Sequence, residues 1–152
     1  MPPPLTIRAA QASDAETIAQ FNEQMAQETE GKTLDPETIR TGVRALLDDP
    51  DRGFYLLAER GGRVVGSLMI TTEWSDWRNG TFWWVQSVYV HPTARRQGVY
   101  SSLYAEVKGR AEDADHVCGL RLYVEKENSV AREAYEALGM TQTSYRMYEE
   151  EL

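Results

Sequence analysis

"VYVHPTARRQGVYSSL", residues 88–103, carries the densest chemistry in the chain. Apolar residues fill its start and Gly98 precedes a run of helical spacing. The stretch therefore predicts a buried strand ending at Val90, a short loop, and a helix from about Gly98. The first amides of a helix lack intrahelical partners and the dipole is positive there, so the junction suits an anion. Gly98 lets backbone come close, and Arg95 and Arg96 can add charge-assisted contacts to phosphate oxygens. The same residues also suit a basic surface turn ahead of a helix.

Outward from this junction, the pattern predicts alternating layers. "LTIRAA" (5–10) reads as a strand. Ser13 and Glu16 stand in capping-box spacing before Ile18, Phe21 and Met25 at helical intervals. Asp35 and Pro36 open a second helix whose Ile39, Val43, Leu46 and Leu47 share a face. "FYLLAE", "RVVGSLMITTE" and "FWWVQSVYV" are strand-like, as are "LRLYVE" (120–125) and "SYRMYEEE" (144–151). "SVAREAYEAL" (129–138) is a helix stopped by Gly139. The order β-α-α-β-β-β-α-β-α-β predicts one α/β domain over residues 1–152. Its sheet is mixed and mostly antiparallel, flanked by helices on both faces.

The net charge of −8 opposes a nucleic-acid partner, since binding by counterion release needs a basic face. No apolar run approaches the roughly 20 residues of a membrane span. The opening "MPPPLTIRAA" lacks the basic and apolar regions of a secretory signal, and the single cysteine, Cys118, excludes an internal disulfide. A cytoplasmic location is the expectation.

A second signal lies downstream. In "LYVEKENSVAREAYEALGM", Asn128 is placed to cap a helix on which Ala131 and Tyr135 share a face. Tyr135 alone would be a core position. Together, "VYVHPTARRQGVY" and "ENSVAREAYEALGM" resemble the two motifs of the GNAT (Gcn5-related N-acetyltransferase) superfamily, [QR]-x-x-G-x-[GA] and N-x-x-A-x-x-x-Y-x-x-x-G-[FM]. The order of elements is similar as well, so the resemblance covers essentially the whole chain.

The resemblance implies an acetyl-CoA-dependent N-acetyltransferase with no metal, acting on a small-molecule primary amine. Backbone at Val88, Tyr89 and Val90 would pair with the pantetheine arm. Arg95, Arg96, Gln97, Gly98 and Val99 would cradle the pyrophosphate, with Tyr100 and Ser101 in the same turn. Asn128 and Ala131 would meet the cofactor, and Tyr135 would stand near its sulfur as general acid. Tyr100 departs from the motif's small residue. That departure fits an alternative, a non-catalytic acyl-CoA-binding module acting as sensor or protein partner.

All four tryptophans fall in "EWSDWRNGTFWW" (73–84). Asn79-Gly80 predicts a two-residue hairpin turn, pairing Ser75 with Trp84 and Glu73 with Gln86. Glu73, Ser75, Trp77, Phe82, Trp84 and Gln86 then share one face; Trp74, Asp76, Arg78, Trp83 and Val85 share the other. On the first face Glu73 is the candidate base, with desolvation expected to raise its pKa. Its plainer reading is a surface glutamate at a strand end. Trp77, Trp84 and Gln86 would wall the acceptor. Glu28, Glu30 and Asp76 supply charge for a polyamine-like amine, though Glu28 and Glu30 equally suit a solvated helix end. The tryptophans also suit a homodimer interface.

Overall fold

The computed structural model describes residues 3–152, which divide into two compact units, the first running to Leu122 and the second covering Tyr123–Leu152. The first holds strands β1 (Leu5–Ala9), β2 (Gly53–Arg60), β3 (Arg63–Ser75), β4 (Gly80–Val90) and β5 (Val117–Arg121). It also holds helices α1 (Ala15–Glu30), α2 (Pro36–Leu47) and α3 (Val99–Asp113). The second contains α4 (Ser129–Ala137).

The strands lie in chain order, β1-β2-β3-β4-β5. The first three pairings are antiparallel and the last, across α3, is parallel. A parallel pair needs a crossover long enough to return the chain, and α3 provides it. Alternation along β2 and β3 splits the apolar residues between two cores. On one face Tyr55, Leu57 and Met69 meet Ile18 and Ala19 of α1 and Val43 and Leu46 of α2. On the other, Leu56, Leu68, Ile70, Trp83 and Val85 meet Val99, Leu103, Val107 and Ala111 of α3. Leu103 is fully buried; burial of such a side chain contributes about 1.5–3 kcal/mol.

Local chemistry sets the helix starts. Asp35 accepts from Thr38 N at 3.0 Å and caps α2. For α1 the expected Ser13–Glu16 box is replaced by a 3-10 turn, Ala12–Asp14, whose Asp14 accepts from Gln11 N at 2.7 Å. Glu16 instead meets Arg40 of α2 at 2.8 Å. Two strand expectations also change. β5 begins and ends earlier than "LRLYVE", because its ladder runs from Thr81↔Val117 to Trp84↔Arg121. Ser144–Glu151 form no strand and are exposed. Strand propensity without a paired edge and a buried face does not hold a strand.

The β3–β4 hairpin closes differently from the two-residue expectation. Ser75 pairs Gly80 and Glu73 pairs Phe82, leaving Asp76–Asn79 as the turn. Asn79 takes the left-handed conformation, φ 47°, and donates its amide to Asp76 O at 3.2 Å. The displacement moves each partner by an even number of residues, so the residues that stay in the strands keep their faces. Asp76, Trp77 and Arg78 do not stay: they sit in the turn, and Trp77, 88% exposed, leaves the wall it was expected to join.

Candidate active site

β4 supplies the centre of the site. Its ladder to β3 passes from Met69↔Gln86 to Ser67↔Tyr89, so Ser87 and Val88 together oppose Leu68 as a β-bulge. Ser87 is left-handed there, with φ 51°. The bulge lies beyond Gln86 and leaves the hairpin faces intact. Pairing with β5 ends at Trp84↔Arg121, whereas β4 runs on to Val90. The two parallel strands therefore part company where β4 carries Gln86, Val88 and Val90.

The chain then turns through Pro92–Ala94 into α3. Arg96 and Gly98, with φ 63° and 77°, are both left-handed, and the first amide bonded back into the helix is Ser102 N, to Gly98 O at 3.0 Å. Alternating handedness turns successive amides toward one concavity, an anion-binding arrangement. A Cβ added at Gly98 would meet nothing within 4 Å, so the concavity opens outward. These features fit a diphosphate at the start of α3.

Several side chains of the loop have partners of their own. Val99 is buried in the α3 core and offers its backbone alone. Gln97 is braced, donating to Thr93 O at 3.1 Å and accepting from Arg60 at 2.6 Å. The Tyr100 ring leans along the helix toward Tyr104, centroids 6.2 Å apart. Ser101 is exposed in the first turn. Arg95 turns away from α3: its Nε donates to Val90 O at 2.9 Å and its NH2 meets Glu28 at 2.6 Å.

Beyond Gln86 on the same face, Glu73 accepts from the Trp84 indole at 2.8 Å and from Arg121 at 3.0 Å. Arg121 lies 3.6 Å above the Phe82 ring, with Arg78 4.9 Å from the same ring. The Trp84 hydrogen bond, aided by Arg121, holds the Glu73 carboxyl below the usual glutamate range and outweighs desolvation. This reverses the expected upward shift. Glu30 faces Lys32 at 3.7 Å. Trp83 packs edge-on against Phe54 in the α3-side core, while Trp74 is exposed.

In the second unit, Asn128 caps α4, accepting from Ala131 N at 3.1 Å. Tyr135, on the same helix, is half-buried, and that burial pushes its phenol up. Among the described residues no group of His, Cys, Asp and Glu is arranged to hold a metal, and no helix is long and apolar enough to cross a membrane.

Residues 16–140 match the model of the acetyltransferase (GNAT) family. The chain belongs to that family. It is an acetyltransferase, and the family's acyl donor is acetyl-CoA. A possible acetyltransferase from Clostridium difficile 630 is 46% identical over 97% of both chains, with a TM-score of 0.92. A ribosomal-protein-alanine N-acetyltransferase from Brucella melitensis biovar Abortus 2308 shares 19% identity over 98% of this chain and 99% of its own, TM-score 0.79. An aminoglycoside N-acetyltransferase in complex with CoA shares 15% over 97% and 95%, TM-score 0.80. These last two likenesses are of fold. Among curated proteins none matches by sequence.

Two contacts around the candidate site escaped the sequence. Arg121 reaches Glu73 only through the parallel register of β5 on β4, which no local pattern reports. The Glu28–Arg95 pair joins residues 67 positions apart. Charge complementarity was the one signal available for it, and the same sign pattern recurs throughout the chain.

Proposed function

We propose that this acetyltransferase moves the acetyl group of acetyl-CoA directly onto a small primary amine. The observation that carries the reading is the parting of β4 from β5 beside the bulge at Ser87–Val88, followed by the left-handed loop into α3. An extended arm can pair with the free run of β4, and the amides from Arg96 to Ser101 can receive its diphosphate. The Arg96 side chain adds charge to that cradle, and the resemblance of the α4 motif assigns Asn128 and Ala131 to the same donor. Acetyl-CoA supplies an acyl group activated as a thioester.

Transfer forms a C–N bond and breaks a C–S bond. The incoming ammonium loses a proton to solvent, negative charge grows on the acyl oxygen, and the departing sulfur gains a proton. Backbone N–H at the β4 bulge, near Val88, is the donor assigned to the oxygen. Tyr135 is the acid assigned to the sulfur: its raised pKa keeps the phenol proton in place at neutral pH. Glu73, a weaker base for its lowered pKa, is assigned to holding Trp84 and Arg121 in the acceptor wall with Gln86.

The acids that would attract a polycation are largely engaged. Glu28 meets Arg95, Glu30 meets Lys32 and Glu73 meets Arg121. This supports an acceptor with a single ammonium over a polyamine. Free-thiol release from acetyl-CoA across monoamines, amino acids, polyamines and aminoglycosides tests the reading. Monoamines should exceed spermidine, and no release with any amine would sink it. Tyr135→Phe should lower kcat by about a hundredfold or more, the range of a general acid, with acetyl-CoA affinity nearly unchanged. Unchanged kcat would remove Tyr135 from the mechanism.

A further inference from the structure

Arg95 and Arg96 stand side by side before α3, yet they face different tasks. Tyr89 pairs Ser67 on the sheet face that carries Met69 and Leu57, the face covered by α1 and α2. Its ring meets Phe21 of α1 with centroids 5.0 Å apart. The Arg95 guanidinium lies 5.5 Å from the centre of that same ring and bonds Glu28, near the end of α1. Tyr89 also donates its hydroxyl to Glu28, at 3.4 Å. Helix α3, whose start is assigned to the diphosphate, packs on the opposite face. Arg96, by contrast, is exposed and enters no ion pair among the described residues.

We infer that Arg95 is a positioning residue for the acceptor side, acting through Glu28, and that Arg96 alone supplies side-chain charge to the diphosphate. Three partners fix the Arg95 guanidinium: Val90 O, the Glu28 carboxylate and the Tyr89 face. Together they bind the last turns of α1, and so the loop 31–35 that leads to α2, to the end of β4. A guanidinium already paired with a carboxylate presents a diphosphate with little net charge. It does give α1 a rigid bracket beside the bulge where transfer is assigned. The inference rests on the reading of the site as an acetyl-CoA-dependent transferase.

Calorimetric titration of CoA into the full chain, together with acceptor kinetics, separates the two arginines. Arg96→Ala should weaken CoA about tenfold, as expected for one charge-assisted contact. Arg95→Ala and Glu28→Gln should leave CoA affinity within about twofold. Both should raise the KM of the best monoamine about fivefold, and the double variant should be no worse than Arg95→Ala alone. Hydrogen exchange at Thr29–Lys32 should quicken in Arg95→Ala and Glu28→Gln and stay unchanged in Arg96→Ala. Glu28→Gln keeps the arginine and the side-chain volume, so it reports even where Arg95→Ala folds poorly. The inference is overturned if Arg95→Ala weakens CoA as much as Arg96→Ala, or if acceptor KM and α1 exchange stay at wild-type values. Wild-type protein that binds no CoA overturns the underlying reading as well. Binding without turnover by any amine damages the enzymatic reading alone, and exchange then decides the bracket.

Discussion

Glu73 shows how neighbours decide what a carboxylate can do. At the end of a strand among aromatic rings, desolvation alone would push it up toward a useful base. Its two donors, the Trp84 indole at 2.8 Å and Arg121 at 3.0 Å, favour the charged form and win. Trp84→Phe keeps an aromatic ring, though a smaller one, and removes the N–H, the largest cause of the lowered pKa. In a carboxyl NMR titration Glu73 should then move up toward the value of a free glutamate, about 4.3. An unmoved titration would take the indole out of the account. Because the carboxylate is exposed, the lost hydrogen bond itself should contribute little to stability. Sequence alone gave half of this arrangement: alternation put Glu73, Phe82, Trp84 and Gln86 on one face. It could not supply Arg121, which arrives from a strand whose parallel register is set by packing across α3.

At the scale of elements, the hairpin explains where reading by motif stopped. Asn-Gly is the strongest short turn signal, and Asn79 does take the left-handed conformation it predicts. Gly80, however, belongs to β4. A Cβ there would stand 3.1 Å from both His116 O and the Cys118 side chain, where the start of β5 closes on the hairpin. Close approach of a distant strand, and not the turn, uses this glycine. The starts of α2 and α4 were legible because their caps are local, Asp35 and Asn128. The absent strand at 144–151 was not, because pairing is a property of two segments. The same close approach recurs at Gly119, where a Cβ would fall 2.7 Å from the Phe82 ring beneath Arg121. Gly119→Ala should therefore cost about 1–3 kcal/mol in urea denaturation, as overpacking does. Gly109→Ala, inside α3 with nothing within 4 Å of the new Cβ, should stabilise by about 0.5–1 kcal/mol. Equal responses at the two sites would refute the packing described for Phe82.

Across the whole molecule, a surplus of acids meets a set of cations placed to hold particular ones ionised. Asp14 is buried and takes both forks of Arg8, at 2.8 and 2.9 Å, while Arg8 also donates to Glu59 of β2 at 3.1 Å. The network ties β1, β2 and the entry to α1 together. Arg8 is the main reason the Asp14 carboxyl lies below the usual aspartate range; Glu16, Asp35 and Glu73 are lowered by their own partners. A folded pKa below the unfolded one gives stability that is present above the unfolded value, about 4, and lost as pH falls through the folded value. At the other limb, burial raises Tyr55, Tyr104 and Tyr135, so their contribution holds below about 10 and is lost as pH rises further. Stability should thus be flat across the neutral range and fall at both ends. Asp14→Asn isolates the acid limb. It removes the charge and leaves Arg8 with Glu59, so near pH 7 it should cost about 1–3 kcal/mol, the range for losing a hydrogen-bonded charged partner. The gap between variant and wild type should shrink as pH falls below 4 and close once Asp14 is protonated in both folded and unfolded chains. Chemical denaturation of both proteins from pH 7 to pH 2.5 measures that gap. A difference that stays constant down to the lowest pH would mean that Asp14 acts through shape rather than charge.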